Sequence, residues 1–462
     1  MTARGKKKGP SAPSGEAAVF VQTASTQMSE LDRWSQVTED EVRIVEEMTR
    51  RNELSGGTEV VREFEETWRR WIGTKYALTT ANGCAALYCA YFGVGLGPGD
   101  EVICPTYTWI STIAPALLLG ARPVFCESDP ETLLLDPEDV RRRITPKTRA
   151  IIVVHLWGLV CDLDPIVAIS RETGIPVIED CSHGHGARYH GRMCGSIGTA
   201  GCWSLQGSKP VSAGEGGVLT TDDVECFERA CLVGQVNRIK GVDLVTTKYA
   251  ELQPLGLGMK FRSHPLAIGI AQVQLKKLPE LNRKRRDYVE AVEAGMRDIP
   301  ALKPVKLVEA SERAGFYAFP IRYFPEEAAN LSTESVAKAL SNEGIPTQTG
   351  PYPLLHQLPL FQKGFDIFTR NRGPLCEGYK GYRDGDFPVT EKMHAHLLFL
   401  PVLSDPVLDA ADRIVNALRN VIENAETLVR TEGFFTERDA RKQPAIAEIL
   451  GTQGFQKTSA RK

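Results

Sequence analysis

Between Tyr76 and Ala230, short apolar runs alternate with stretches of helical periodicity. Glu101-Val-Ile-Cys, Pro123-Val-Phe-Cys, Arg149-Ala-Ile-Ile-Val-Val and Pro176-Val-Ile-Glu read as strands buried on both faces, because they lack the polar alternation of a half-solvated sheet. Strands spaced by helices predict a mostly parallel sheet covered by helices, an α/β arrangement. Ser263 to Leu278 continues as a long helix into the charged run Arg283-Lys-Arg-Arg286, read as a solvated helix face. A smaller α+β unit follows: Phe316 to Arg322 as a strand, Ser332 to Asn342 as a helix, Gly364 to Phe387 as a loop and Asp405 to Thr427 as a closing amphipathic helix. The expected organisation is a disordered tail over 1–35, a large domain over 36–295, a small C-terminal domain over 296–430 and a polar extension over 431–462.

Composition narrows the class. The chain has 462 residues, 42% of them hydrophobic, and a formal net charge of −3, which leaves no basic footprint for nucleic acid. Its apolar stretches are short and interrupted, so no membrane is expected. The N-terminal Met-Thr-Ala-Arg-Gly-Lys-Lys-Lys has charge without an apolar run behind it, which does not suit a secretory signal. The 11 cysteines form no Cys-x-x-Cys pair, and several, such as Cys104, Cys126 and Cys202, lie in strand-like segments as buried thiols would in a cytoplasmic protein. The close histidine pairs, 183 with 185 and 394 with 396, lack a third ligand at a supporting spacing, so no metal is expected.

The chemistry concentrates between Glu179 and Gly217. Asp180 ends an apolar run and belongs at the carboxyl edge of the sheet, where α/β folds bind ligands. Lys209 follows Ser204 by five residues, and Gly214-Glu-Gly-Gly217 follows Lys209. Upstream, Tyr76-Ala-Leu-Thr-Thr-Ala-Asn82-Gly83-Cys84 reads as a strand, a tight turn and a helix beginning near Ala85, whose first amides suit a phosphate. Trp109 ends the next strand unit with an indole able to lie on a planar heterocycle. An amine, a carboxylate and a phosphate cradle are what pyridoxal phosphate asks of a protein. Each has a plainer use alone: a lysine in an exposed loop, an aspartate capping a helix, a tryptophan packed in a core.

Together these segments resemble the DegT/DnrJ/EryC1/StrS family of pyridoxal-phosphate-dependent sugar aminotransferases, of fold type I. The resemblance runs from about Leu54 to about Pro401 through Leu54-Ser-Gly-Gly-Thr, Gly99-Asp-Glu-Val-Ile-Cys-Pro, Pro146-Lys-Thr-Arg-Ala-Ile-Ile-Val-Val-His155, Glu179-Asp-Cys-Ser-His-Gly-His-Gly-Ala187 and Gly214-Glu-Gly-Gly217. It implies that Lys209 holds the cofactor's aldehyde, Asp180 pairs with its ring nitrogen, Trp109 stacks on the ring, and Gly83, Cys84 and Ser204 hold the phosphate. Cys84 replaces the family's usual Thr, which removes a hydroxyl contact. His183 replaces the usual Gln and retains a hydrogen bond to the phenolic oxygen. In Gly258-Met-Lys-Phe-Arg262, Lys260 stands where an asparagine usually reaches the neighbouring subunit's phosphate. Tyr352-Pro-Leu-Leu-His356 matches a segment near the sugar site, and a proline-held turn is an equal reading of it.

The resemblance further implies ping-pong transfer from glutamate or glutamine to a keto-sugar or keto-cyclitol, in a homodimer with shared sites. Lys209 argues against the family's dehydratase branch, which carries histidine there. Cys181-Ser-His183, Ser-Leu-Gln and Lys260 tilt the resemblance towards the branch acting on scyllo-inosose and its 2-deoxy relative. Two alternatives remain at this level: an aminohydroxybenzoate-synthase-like enzyme, in which amination is followed by loss of water, and a regulator that binds the cofactor without turnover.

Overall fold

The computed structural model describes residues 37–236, 244–253, 255–376, 378–404 and 409–430, so the tails expected over 1–35 and 431–462 lie outside the described residues. Seven strands form the main sheet: β1 (Tyr76–Thr80), β2 (Glu101–Pro105), β3 (Arg122–Cys126), β4 (Thr148–Val154), β5 (Val177–Asp180), β6 (Ala200–Ser204) and β7 (Gly217–Thr221). Their order is β1-β7-β6-β5-β4-β2-β3. Every neighbour pairs in parallel except β7, which runs antiparallel to both β1 and β6.

Both faces of this sheet are covered, which is why the runs read as continuous rather than alternating. Ile103, Ile151, Val153 and Val177 face one apolar cluster. Val102, Cys104, Ile152 and Ile178 face the other, as the two-residue period of a strand requires. The parallel strands β2, β4, β5 and β6 end at Pro105, Val154, Asp180 and Ser204, and these ends form one edge.

A helix over Pro265–Gly295 carries the charged run and leads to a second sheet. That sheet contains Leu302–Pro304, Phe319–Tyr323, Gln348–Thr349 and Leu397–Leu400. The strand expected from Phe316 begins at Phe319, because the backbone before it turns through positive φ at Gly315 and Phe316. The expected closing helix covers Ala410–Glu423 within its predicted bounds. Between the last two strands the chain crosses back over the main sheet. Leu355, Phe361, Leu375 and Phe387 join the cluster beside β2 and β3. The crossing is tied down by Arg122 donating to the Pro374 carbonyl (2.9 Å), and by a Thr106 hydroxyl–His356 Nδ1 bond (2.7 Å) with His356 Nε2 against Glu391 (3.0 Å).

Helix α1 (Glu39–Arg50) docks on the long helix through a buried carboxylate. Glu41 accepts from Lys277 Nζ and Gln274 Nε2, each at 2.6 Å, and from the Thr38 amide at 2.8 Å, closing a capping box. Burial by itself would raise the Glu41 pKa, but the bonds from Lys277 and Thr38 outweigh it and bring it from 4.5 to about 2. A depressed carboxylate contributes stability above its unfolded pKa and loses it as pH falls through the folded value. We therefore expect Glu41→Gln to cost about 1–3 kcal/mol at pH 7. In denaturant titrations the gap between variant and wild type should shrink from about pH 4.5 downwards and close near pH 2.

Candidate functional site

The turn after β1 builds a concave end. Asn82 caps helix α2 (Gly83–Gly93), its side chain accepting from the Ala85 amide at 2.9 Å, so the helix starts two residues before the sequence suggested. Among the described hydrogen bonds the Gly83 and Cys84 amides have no acceptor. Ser204 closes the cradle from β6: a Cβ at Gly83 would stand 2.9 Å from the Ser204 Cβ, so glycine is what lets the helix approach. Gly217 pairs with both Thr80 and Ser204, and a Cβ there would meet the Asn82 carbonyl at 2.4 Å. Two free amides at a helix N-terminus beside a hydroxyl fit a phosphate ester.

Asp180 is buried at the end of β5. One of its carboxylate oxygens accepts from the Thr112 hydroxyl (2.8 Å) and the other from the Ser182 amide (3.1 Å). Lys209 comes from the loop joining β6 to β7, with its ammonium 3.9 Å from the centroid of the Tyr317 ring. Burial lowers the Lys209 pKa, and Tyr317 and Asp180 oppose that shift.

His183 is buried in the loop after Asp180. Desolvation first, then the charge of Lys209 and the neighbouring His185, hold its pKa well below 6.5, so the ring is neutral. Its Nδ1 accepts from the Trp157 amide (3.3 Å), which leaves the proton on Nε2 and makes that nitrogen a donor. Trp157 holds this position in the left-handed region, φ +59°.

His183 also starts a wall of rings. It stacks on Tyr317 (3.9 Å, 10°) and on Trp157 (5.3 Å, 16°). Tyr352 lies 4.7 Å from Trp157, and Trp109 lies 5.1 Å from Tyr352. The structure thus gathers Asp180, His183 and Lys209, joins Trp109 to them through aromatic contacts, and sets Gly83, Cys84 and Ser204 together in the cradle. Lys260 is exposed and bridges to Gln235, and no described contact within one chain joins it to the cluster.

Sequence reasoning did not single out Thr112, Trp157 or Tyr317, which reach the cluster from distant segments. It also passed over a buried arrangement of His155, Glu179 and Cys181, whose donor atoms lie within 4.8 Å of one another. Glu179 already accepts from the Gly195, Ile197 and Gly198 amides (2.7, 2.8 and 2.6 Å) and from His155 Nε2 (3.1 Å). These bonds make it an anchor for the loop before β6. Among the described residues no helix is long and apolar enough to cross a membrane.

Comparison with known proteins bears on what this geometry does. The model of the DegT/DnrJ/EryC1/StrS aminotransferase family matches residues 35–419. The spore coat polysaccharide biosynthesis protein SpsC of Bacillus subtilis is 29% identical over 394 residues, covering 84% of this chain and 96% of its own. Among solved structures, DesI with its TDP-sugar product is 26% identical with a TM-score of 0.72, covering 87% of this chain and 94% of its own. 3-Amino-5-hydroxybenzoic acid synthase is 25% identical with a TM-score of 0.70, covering 84% and 98%.

The cradle generates a test that does not depend on turnover. Cys84 is exposed at the second position of the helix, where a bound phosphate would cover it. Saturating pyridoxal phosphate should slow its alkylation by iodoacetamide at least about tenfold. Cys84→Thr, which supplies a hydroxyl at that position, should bind the cofactor several-fold tighter in an equilibrium titration.

Proposed function

We propose, on the premise that the chain belongs to the DegT/DnrJ/EryC1/StrS aminotransferase family, that it moves an amino group from glutamate or glutamine to a keto-sugar or keto-cyclitol. The observation that carries this reading is the meeting of a desolvated lysine, a buried carboxylate and a neutral donor histidine beside a phosphate cradle. Members of the family depend on pyridoxal phosphate. When bound, it supplies an aldehyde that takes up amino groups and a ring that accepts an electron pair from the adjacent carbon. Lys209 would hold the aldehyde, Asp180 the ring nitrogen, His183 the phenolic oxygen, Trp109 the ring face, and Gly83, Cys84 and Ser204 the phosphate.

The chain's own residues account for the proton traffic. Desolvation lowers the Lys209 pKa, which favours the free amine that a general base requires. Once displaced by the donor's amino group, Lys209 would take the proton from the donor's α-carbon as a base and return it as an acid. Water would release the keto acid and leave the amino group behind, and the acceptor's carbonyl would then run the same proton movements in reverse with loss of that water, which is a ping-pong order. Thr112 and Ser182 both donate to Asp180, which fixes the direction its carboxylate oxygens face.

The acceptor is proposed by class. SpsC's name and DesI's TDP-sugar product support a sugar, while the resemblance of Cys181-Ser-His183 and Lys260 supports a cyclitol. The similarity to 3-amino-5-hydroxybenzoic acid synthase keeps a second reading in view, amination followed by loss of water and aromatisation. Product mass and an ultraviolet chromophore separate the two.

We also propose a homodimer with shared sites. Leu252, Leu255, Leu257 and Met259 are exposed on the run that leads into Lys260, an apolar surface suited to a second copy. Lys260 of that copy would then reach the phosphate.

The first test is the visible spectrum. In wild type, borohydride should attach the cofactor to Lys209 irreversibly, and glutamate or glutamine should discharge the visible band. Lys209→Ala should show neither, and a wild-type band that no amino donor discharges would move the assignment to a cofactor-binding regulator. A second test mixes two weakened variants, Lys209→Ala and Lys260→Ala. If sites are shared, hybrid dimers regain one intact site, restoring roughly a quarter of wild-type activity; no gain on mixing would sink the shared site.

A further inference from the structure

Tyr317 is held in place more firmly than an ordinary loop residue. Gly315 (φ +78°) and Phe316 (φ +40°) bring the chain through the left-handed region just before it. A Cβ at Gly315 would stand 2.1 Å from the His183 carbonyl, so the two loops are in direct backbone contact. Asn282 ties them together, accepting from the Gly315 amide and donating to the His185 carbonyl, both at 3.0 Å. Two buried guanidinium groups grip the flanking carbonyls, Arg285 donating to Phe316 (3.0 Å) and Arg313 to Ala318 (2.7 Å). Buried cations and a non-glycine residue at positive φ are unfavourable on their own, and such features mark positions where placement matters.

What is placed is an aromatic ring against the Lys209 amine. The ammonium sits 3.9 Å from the ring centroid, within cation–π range, while His183 stacks on the same ring. The Tyr317 hydroxyl meets Ser208 Oγ at 3.0 Å, beside the lysine in sequence. Burial would raise the Tyr317 pKa, but the Lys209 charge and the hydrogen bond with Ser208 outweigh it and leave it below 10. The groups acting electrostatically on Lys209 are Asp180 and Tyr317, which favour its charge, and His183 and His185, both neutral, the latter brought down to about 3.

We propose that Tyr317 is the positioning residue of Lys209 in its unattached state, its ring face and hydroxyl keeping the freed amine at the reacting carbons. The problem it solves is mechanical: once displaced, a lysine on a four-carbon stem has many rotamers, and only a few leave its nitrogen where the proton is taken and returned. The catalytic meaning rests on the aminotransferase reading; the physical coupling between ring and amine does not.

The test separates these. In cofactor-free full-length protein, trace acetylation of Lys209 by acetic anhydride is followed against pH by peptide mass spectrometry, in wild type, Tyr317→Phe and Tyr317→Leu. Losing a group that favours the ammonium lowers the midpoint. The leucine variant should shift by at least about half a pH unit and the phenylalanine variant by a smaller, resolved amount. Tyr317→Phe keeps the volume and the ring, so it carries the test if the leucine variant does not fold. Midpoints that coincide with wild type in every folded variant would overturn the proposal.

In the loaded enzyme, discharge of the visible band by saturating donor should slow at least about tenfold in Tyr317→Phe, with the half-saturating donor concentration unchanged. Discharge at the wild-type rate and pH profile would defeat the proposal alone. If wild type itself is not discharged by any donor, the aminotransferase reading fails while the acetylation shift in cofactor-free protein still stands.

Discussion

A carboxylate with no access to water organises the cluster. Glu179 is fully buried, and the hydrogen bonds to its oxygens come from three amides of one loop, those of Gly195, Ile197 and Gly198, and from the ring of His155. Such a charge is tolerable only while all of those donors stay in place, so the loop at 195–198, the end of β4 and the end of β5 are locked to one another. Asp180 is the next residue along β5. Because successive strand residues face opposite sides, fixing Glu179 inwards fixes the direction in which Asp180 can point. Leaving the Gly195, Ile197 and Gly198 amides without an acceptor would loosen the approach to β6, and with it Ser204 and the lysine loop.

The aromatic wall adds the second constraint. Tyr317, Trp157, His183 and Tyr352 come from four separated stretches of chain and meet ring to ring. The contacts also settle a proton: the Trp157 amide occupies Nδ1 of His183 and so decides which nitrogen can donate. That hydrogen bond requires a left-handed tryptophan followed by Gly158, where a Cβ would stand 2.0 Å from the Ala314 carbonyl. A backbone close approach between two loops thus determines which ring nitrogen carries a hydrogen.

The sequence made the main sheet legible because parallel strands buried on both faces leave unbroken apolar runs, and Val102 to Cys104, Ile151 to Val153 and Val177 to Ile178 all occur in such runs. Asp180 and Lys209 were legible as a pair because Asp180 closes β5 and Lys209 lies in the loop that follows β6, within thirty residues of it. Thr112, Trp157 and Tyr317 were not, since nothing local marks them; each becomes informative only when the fold sets it against Asp180, His183 or Lys209. The start of helix α2 was misjudged by two residues because glycine and cysteine read as turn, whereas Asn82 already supplies the cap. The strand at Phe319 was set too early for a related reason: Phe316 and Tyr317 have strand propensity, but tertiary contacts from Asn282, Arg285 and Arg313 hold them as a loop.

Strand β7 is the single antiparallel member of its sheet, and it returns directly beside β6, pairing Gly217 with Ser204. Lys209 therefore lies in a hairpin, a unit closed by contacts near in sequence and cheap in loop-closure entropy. Its clamp is different: Tyr317 meets Ser208 across 109 positions and depends on the long helix at 265–295 being docked first. The two halves of the lysine's environment thus differ in contact order, and the order in which they form follows from it. The hairpin residues also precede the tyrosine in the chain, so the amine cannot be enclosed until that later segment has been made.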